Sequence, residues 1–137
     1  EMIKNTKEKP QSLIDGSIDD YINILVETNE YVKKQGAYFY HFLQPTIFTK
    51  KKLNDYEQML IEKGEPFVPV QFIKPYKRSY PLIEDRLKSF DFSRSLTDAF
   101  NNLDESPFLD YCHVAHIGNK IISENIWNTI NAKLEAG

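Results

Sequence analysis

Ala37-Tyr38-Phe39-Tyr40-His41-Phe42-Leu43-Gln44-Pro45 is the stretch that decides the fold. It is too short and too aromatic for a helix. Both of its alternating faces are apolar, as a strand buried on two sides of a parallel sheet requires. Pro45 ends it, because proline has no N–H to give to a ladder. Gly36, just before it, fits the C-cap of a preceding helix. That helix is predicted from Ser17 onward, where Ile18, Tyr21, Ile22, Leu25 and Val32 recur at helical spacing. Ser17 is its expected N-cap, with Asp20 as partner in a capping box. Residues 1–16 are polar, with Lys4, Lys7, Lys9 and Pro10, and read as a leader or linker. The folded portion is then 17–137.

Downstream, residues 53–63 form a predicted helix opened by Asn54 or Asp55 and closed by Gly64. Glu65 to Pro75 is punctuated by proline and reads as irregular. Its Phe67, Val68, Val70, Phe72 and Ile73 are apolar enough to cover a neighbour. Tyr80 to Lys88 reads as a helix with Pro81 in its first turn, and Phe90 to Ser93 as a short strand. A final helix carries Ile117, Ile121, Ile122, Ile126, Ile130 and Leu134 on one side. Helices alternating with strands imply an α/β architecture with parallel strands and crossover helices. Two strands cannot shield both faces and both edges of a sheet. Further strands are therefore expected, and another polypeptide is the favoured source, because Pro66, Pro69 and Pro75 spoil the internal candidate, Phe67 to Ile73.

Composition sets outer bounds. With 137 residues, 41% hydrophobic and 27% charged, the chain has the balance of one ordinary globular domain rather than a disordered polymer. A net charge of −3 gives no general affinity for nucleic acid. Lys50-Lys51-Lys52 and the basic residues from Lys74 to Arg78 are local spots, read as solvated surface. A single cysteine excludes an internal disulfide and leaves the compartment open. No apolar run approaches the length of a membrane span, and no signal peptide is visible.

The chemistry concentrates in Asp110-Tyr111-Cys112-His113. A carboxylate three positions before an imidazole can meet it within a turn. It can then fix the tautomer and leave the second ring nitrogen free to accept a proton. The structural alternative is a polar loop whose Asp favours the N-terminus of the last helix through its dipole. Cys112 is expected as small buried filler, because neighbours in an extended loop point apart. Asp110, Cys112, His113 and His116 offer mixed metal ligands, but no second, separated ligand pair exists. No metal or cofactor is therefore expected. Gln44, at the C-terminal end of its strand, faces the edge where ligands bind in parallel sheets. It could orient substrate, bond to the loop carrying His113, or satisfy the Pro45 turn. His41 is expected as a hydrogen-bonded core histidine. Tyr38, Tyr40 and Trp127 are expected in core packing rather than in a sugar site.

The segment Asp110-x-x-His113-x-x-x-x-Gly118-Asn119, opening a final helix, resembles the last conserved block of SGNH/GDSL hydrolases. Phe42-Leu43-Gln44-Pro45 and the residues before it look like a central strand and its exit loop in that family. Phe90-Asp91-Phe92-Ser93 looks like the short strand preceding the Asp-His block. Together these pieces span roughly residues 18 to 135, in the family's order. The resemblance implies a three-layer αβα, flavodoxin-like domain of which this chain carries the C-terminal half. It also implies ester hydrolysis or acyl transfer on small O-acyl groups, with carbohydrate as the substrate class. His113 would be general base and then general acid, and Asp110 would orient it; Gln44, from its place at the strand edge, is the expected substrate contact. The chain departs from the family where the nucleophile belongs. No Gly-Asp-Ser block and no Gly or Asn oxyanion block is present. Gly16-Ser17 is the nearest candidate, and it lacks the strand-to-helix turn that presents a nucleophile. Ala115-His116 is a milder departure, since a Pro or polar residue is usual there. The expectation is a fragment or subunit of an esterase, inert alone, whose partner is the missing N-terminal half or a second copy of the chain. The alternative is a non-catalytic α/β interaction module on the same scaffold.

Overall fold

A computed structural model describes residues 11–135; the expected leader therefore lies outside the described residues as far as residue 10. In chain order the elements are α1 (Gln11–Lys34), β1 (His41–Leu43), α2 (Asp55–Lys63), α3 (Val70–Leu87), β2 (Ser93–Ser95) and α4 (His116–Glu135). β1 and β2 pair in parallel, with His41 opposite Ser93 and Leu43 opposite Ser95. The class is α/β, with a small parallel sheet of two strands among the described residues. No helix among them is long and apolar enough to cross a membrane.

Local sequence explains most of the elements and corrects several expectations. α1 starts at Gln11, so Ser17 lies inside the helix rather than at its N-cap. Ile14 extends the stripe of Ile18 and Ile22 by one turn, and that stripe packs on Leu43 and Leu87. α2 opens with a full capping box: the Glu57 N–H donates to Asn54 Oδ1 at 2.9 Å, and the Asn54 N–H donates to Glu57 Oε2 at 2.8 Å. Gly64 closes it at φ +63°, a conformation that a side chain would strain.

α3 is the largest revision. The irregular stretch and the helix expected from Tyr80 are one helix beginning at Val70, with Pro75 and Pro81 inside it. Each internal proline removes a backbone donor, at a cost of about 3 kcal/mol in an isolated helix. The stripe Ile73, Tyr76, Tyr80, Ile83 and Leu87 offsets this by burial, since Ile73 joins one core cluster and Tyr80, Ile83 and Leu87 the other.

Both strands are shorter than the sequence suggests. Residues 37–40 precede β1 as extended chain, and Tyr38 is 77% exposed. The second strand lies downstream of its expected place. Phe90 and Phe92 pack against each other, with Phe39 on Phe92, and hold a turn in which the Ser93 N–H donates to the Phe90 carbonyl. The ladder starts only after that turn. His41 is the core histidine expected: one ring nitrogen bonds Tyr21 Oη at 2.6 Å, the other Ser93 Oγ at 2.8 Å. Burial pushes its pKa below the usual value.

Two apolar clusters form. One joins α1, β1 and α3 through Ile18, Ile22, Leu43 and Leu87; the other gathers Ile47, Leu60, Val68, Phe100 and Phe108. Ile121 and Ile122 of α4 rest on the second. Beyond that contact the helix runs on with Trp127 66% and Leu134 60% exposed, so Trp127 is not core.

Lys50 also departs from its expected place on the solvated surface. It is 6% exposed, and its Nζ lies 2.9 Å from both carboxylate oxygens of Glu57, which is wholly buried. Ser106 Oγ donates to the same carboxylate at 3.3 Å. Removing one member of such a pair strands the other charge out of water. Glu57→Gln is therefore expected to cost about 3–5 kcal/mol in urea unfolding. The double variant Lys50→Met/Glu57→Leu should cost less than the two single changes summed. A loss below about 1 kcal/mol for Glu57→Gln would show that the pair is not the buried lock described here.

Candidate active site

The site is a narrow reversal of chain between β2 and α4. Phe108 and Val114 face each other as an antiparallel bridge, and the Leu109 N–H donates to the His113 carbonyl at 2.8 Å. Between them Asp110 turns the chain with its own side chain. Its Oδ1 accepts the backbone N–H groups of Cys112 at 2.9 Å and His113 at 2.7 Å. Its Oδ2 accepts the His113 ring at Nδ1, 2.6 Å away. Burial alone would raise the Asp110 pKa; the hydrogen bonds from His113 and Cys112 outweigh it and hold the carboxyl below its usual value. An ionised carboxylate only accepts, so in the neutral imidazole the proton sits on Nδ1 and Nε2 is the acceptor. The His113 side chain is 74% exposed and that of Asp110 only 26%, so the orienting group is the more sheltered of the two.

Three anchors fix this reversal to the body of the protein. Ile47 N–H donates to the Tyr111 carbonyl at 3.0 Å, and Tyr111 N–H to the Phe67 carbonyl at 3.2 Å. Gln44 Nε2 donates to the Cys112 carbonyl at 2.6 Å. Of the roles open to Gln44, the geometry places it on the loop carrying His113. It also lines a cavity of about 670 Å³ together with His113. The remaining walls are largely apolar, from Phe42, Leu96, Leu109, Ile122 and Ile126, and among the described residues no serine or threonine lines it. Gly16 and Ser17 lie within α1, not at a strand-to-helix turn.

Cys112 comes closer to the imidazole than an extended loop allows. Because Asp110 folds the chain back, Cys112 Sγ stands 3.8 Å from His113 Nδ1. That is the nitrogen Asp110 already holds, so the thiol is not placed to give its proton to the bare Nε2. Burial pushes the thiol pKa up, with the hydrogen bond from Tyr111 pulling against it. Asp110, Cys112 and His113 present three ligand atoms, all within 4.8 Å of one another. His116 is exposed and is the first residue of α4. Asn119 supports the start of α4, with Nδ2 3.5 Å from the Val114 carbonyl.

Gly118 supplies a constraint the sequence only hinted at. A Cβ there would lie 2.9 Å from the Pro107 carbonyl oxygen and 3.0 Å from Val114 Cβ. The first turn of α4 thus presses on both arms of the reversal, and the Ala115 N–H donates to that Pro107 carbonyl at 2.7 Å. Comparison with family models, with curated proteins and with solved structures finds no match for this chain.

Gly118→Ala should lower stability by about 1–3 kcal/mol, since the added methyl meets backbone rather than a flexible side chain. It should also shift the ring resonances of His113, three elements of the reversal being displaced together. Unchanged stability and an unchanged His113 spectrum would show that α4 does not set the position of the pair.

Proposed function

We propose that this chain is the C-terminal half of an SGNH-type ester hydrolase or acyl transferase, supplying its Asp-His pair. The observation that carries the reading is the Asp110–His113 hydrogen bond on a loop directly before the last helix. Parallel pairing of β1 and β2 with helices between them is consistent with part of a three-layer αβα, flavodoxin-like domain. In this reading His113 Nε2 takes the proton of a serine hydroxyl, and the resulting imidazolium returns it to the leaving alcohol. Asp110 keeps the ring in the productive tautomer and offsets its positive charge. Gln44 holds the loop and sits at the substrate edge. The substrate class is a small O-acyl ester, with carbohydrate as the alcohol.

The serine and the oxyanion donors belong to a segment outside these residues, since among the described residues no hydroxyl side chain lines the cavity at His113. The same observation supports the second reading, an α/β interaction module without chemistry. Association separates the two from ordinary monomeric behaviour. β1 and β2 each leave one edge without a strand partner among the described residues. The missing N-terminal half, or a second copy of the chain, would cover such an edge.

Alone, the chain should not turn over a short-chain aryl ester above buffer. Mixed with the polypeptide encoded directly upstream, it should form a complex in light scattering and hydrolyse the ester. His113→Ala should then abolish turnover, because nucleophile, base and oxyanion donors act as a unit. Turnover by the chain alone, lost in His113→Ala, would contradict the half-domain reading. So would a stable monomer with no affinity for that polypeptide, or an upstream sequence without Gly-Asp-Ser, Gly and Asn blocks.

A further inference from the structure

The pair that orients His113 has a third member that the hydrolase reading does not use. Cys112 is half-buried, free of any disulfide, and held against the imidazole on the side facing Asp110. Three donors of different character therefore converge from one turn: a carboxylate oxygen, a thiol sulfur and an imidazole nitrogen. Zinc takes all three, at about 2.0–2.2 Å for oxygen, 2.0–2.1 Å for nitrogen and 2.3 Å for sulfur. Around a tetrahedral ion those bond lengths put neighbouring donors about 3.3–3.6 Å apart. Here Sγ to Nδ1 is 3.8 Å and Nδ1 to Oδ2 is 2.6 Å. The first separation already fits. The second must open by about 0.7 Å. The carboxylate oxygen and the sulfur, which lie within 4.8 Å of each other, must settle at the tetrahedral spacing. Rotation of the exposed imidazole and of the Cys112 side chain supplies both.

We propose that Asp110 Oδ2, Cys112 Sγ and His113 Nδ1 bind a zinc ion, and that the bound ion switches the Asp-His pair off. The fourth position is left to solvent on the exposed side of His113, as in zinc sites with three protein ligands. The protons balance simply. The thiol gives up its proton to solvent as the thiolate binds. The neutral imidazole moves its proton from Nδ1 to Nε2 as Nδ1 takes the metal. Nε2 is then a donor and can no longer accept a proton from a hydroxyl. The second half of the proposal rests on the hydrolase reading; the binding itself does not.

The test uses the full chain with zinc ion alone, in competition with a chromophoric chelator, and with cobalt ion as a spectroscopic substitute. One equivalent should bind, and cobalt should show a thiolate charge-transfer band. Cys112→Ser should remove the band and weaken zinc about 10-fold or more. Asp110→Asn and His113→Gln should each weaken zinc as well, while His116→Ala should leave it unchanged. All four variants are judged only with circular dichroism matching the parent. Absence of one-to-one binding, binding indifferent to Cys112→Ser, or loss of binding in His116→Ala would overturn the site. An active reconstituted enzyme that ignores zinc would overturn the switch and leave the hydrolase reading. A chain that binds zinc but never supports ester hydrolysis would keep the site and remove the switch.

Discussion

The buried carboxylate of Glu57 is the interaction on which the rest of the structure depends. It accepts from Lys50 and the Asn54 backbone, both nearby in sequence, and from Ser106, 49 residues away, so a local loop-and-cap cluster is tied to a distant segment at one side chain. Lys50 lies in the loop between β1 and α2, Asn54 caps α2, and Ser106 begins the approach to the Asp110 reversal. Ser106 in turn receives the Phe108 N–H, which starts the antiparallel bridge. A charge in an apolar interior must be paired and fully hydrogen-bonded to persist. Satisfying Glu57 therefore fixes the register between the exit of β1 and the chain that carries His113. The larger apolar cluster closes around this hub, with Phe100 and Phe108 in edge contact beside it.

How much of this the sequence disclosed follows from the range of each interaction. Asp110 and His113 were legible because three residues of separation leave a turn as the simplest path between them. α2 was legible for the same reason: Asn54 and Gly64 write its ends locally. α3 was hidden because two prolines argue against a helix locally, while the burial that overrules them comes from α1, β2 and the loops they contact. Lys50 was hidden because nothing in a run of three lysines says which one turns inward. Its partner was near in sequence, but the burial of both depends on Ser106 and Phe108, some fifty residues away. The approach of Cys112 to the imidazole is not legible in the sequence, because it depends on the loop being a tight turn rather than extended chain.

The site and the scaffold differ in completeness. The Asp110 reversal is anchored on every side, by Ile47, Phe67, Gln44 and the first turn of α4. The surrounding framework is open: a two-stranded sheet among the described residues, a mostly apolar cavity at His113, and exposed apolar side chains on α1 and α4 at Ile24, Tyr31, Trp127 and Leu134. An oriented Asp-His pair thus stands beside exposed apolar surface.

Everything functional here rests on one statement about His113, that the Asp110 carboxylate holds its proton on Nδ1 and leaves Nε2 bare. Nitrogen-resolved NMR of the imidazole ring in the neutral state measures this directly. The account predicts the Nδ1–H tautomer as the dominant form in the parent chain and its loss in Asp110→Asn. A ring found mainly as the Nε2–H tautomer, or one indifferent to the loss of the carboxylate, would contradict it.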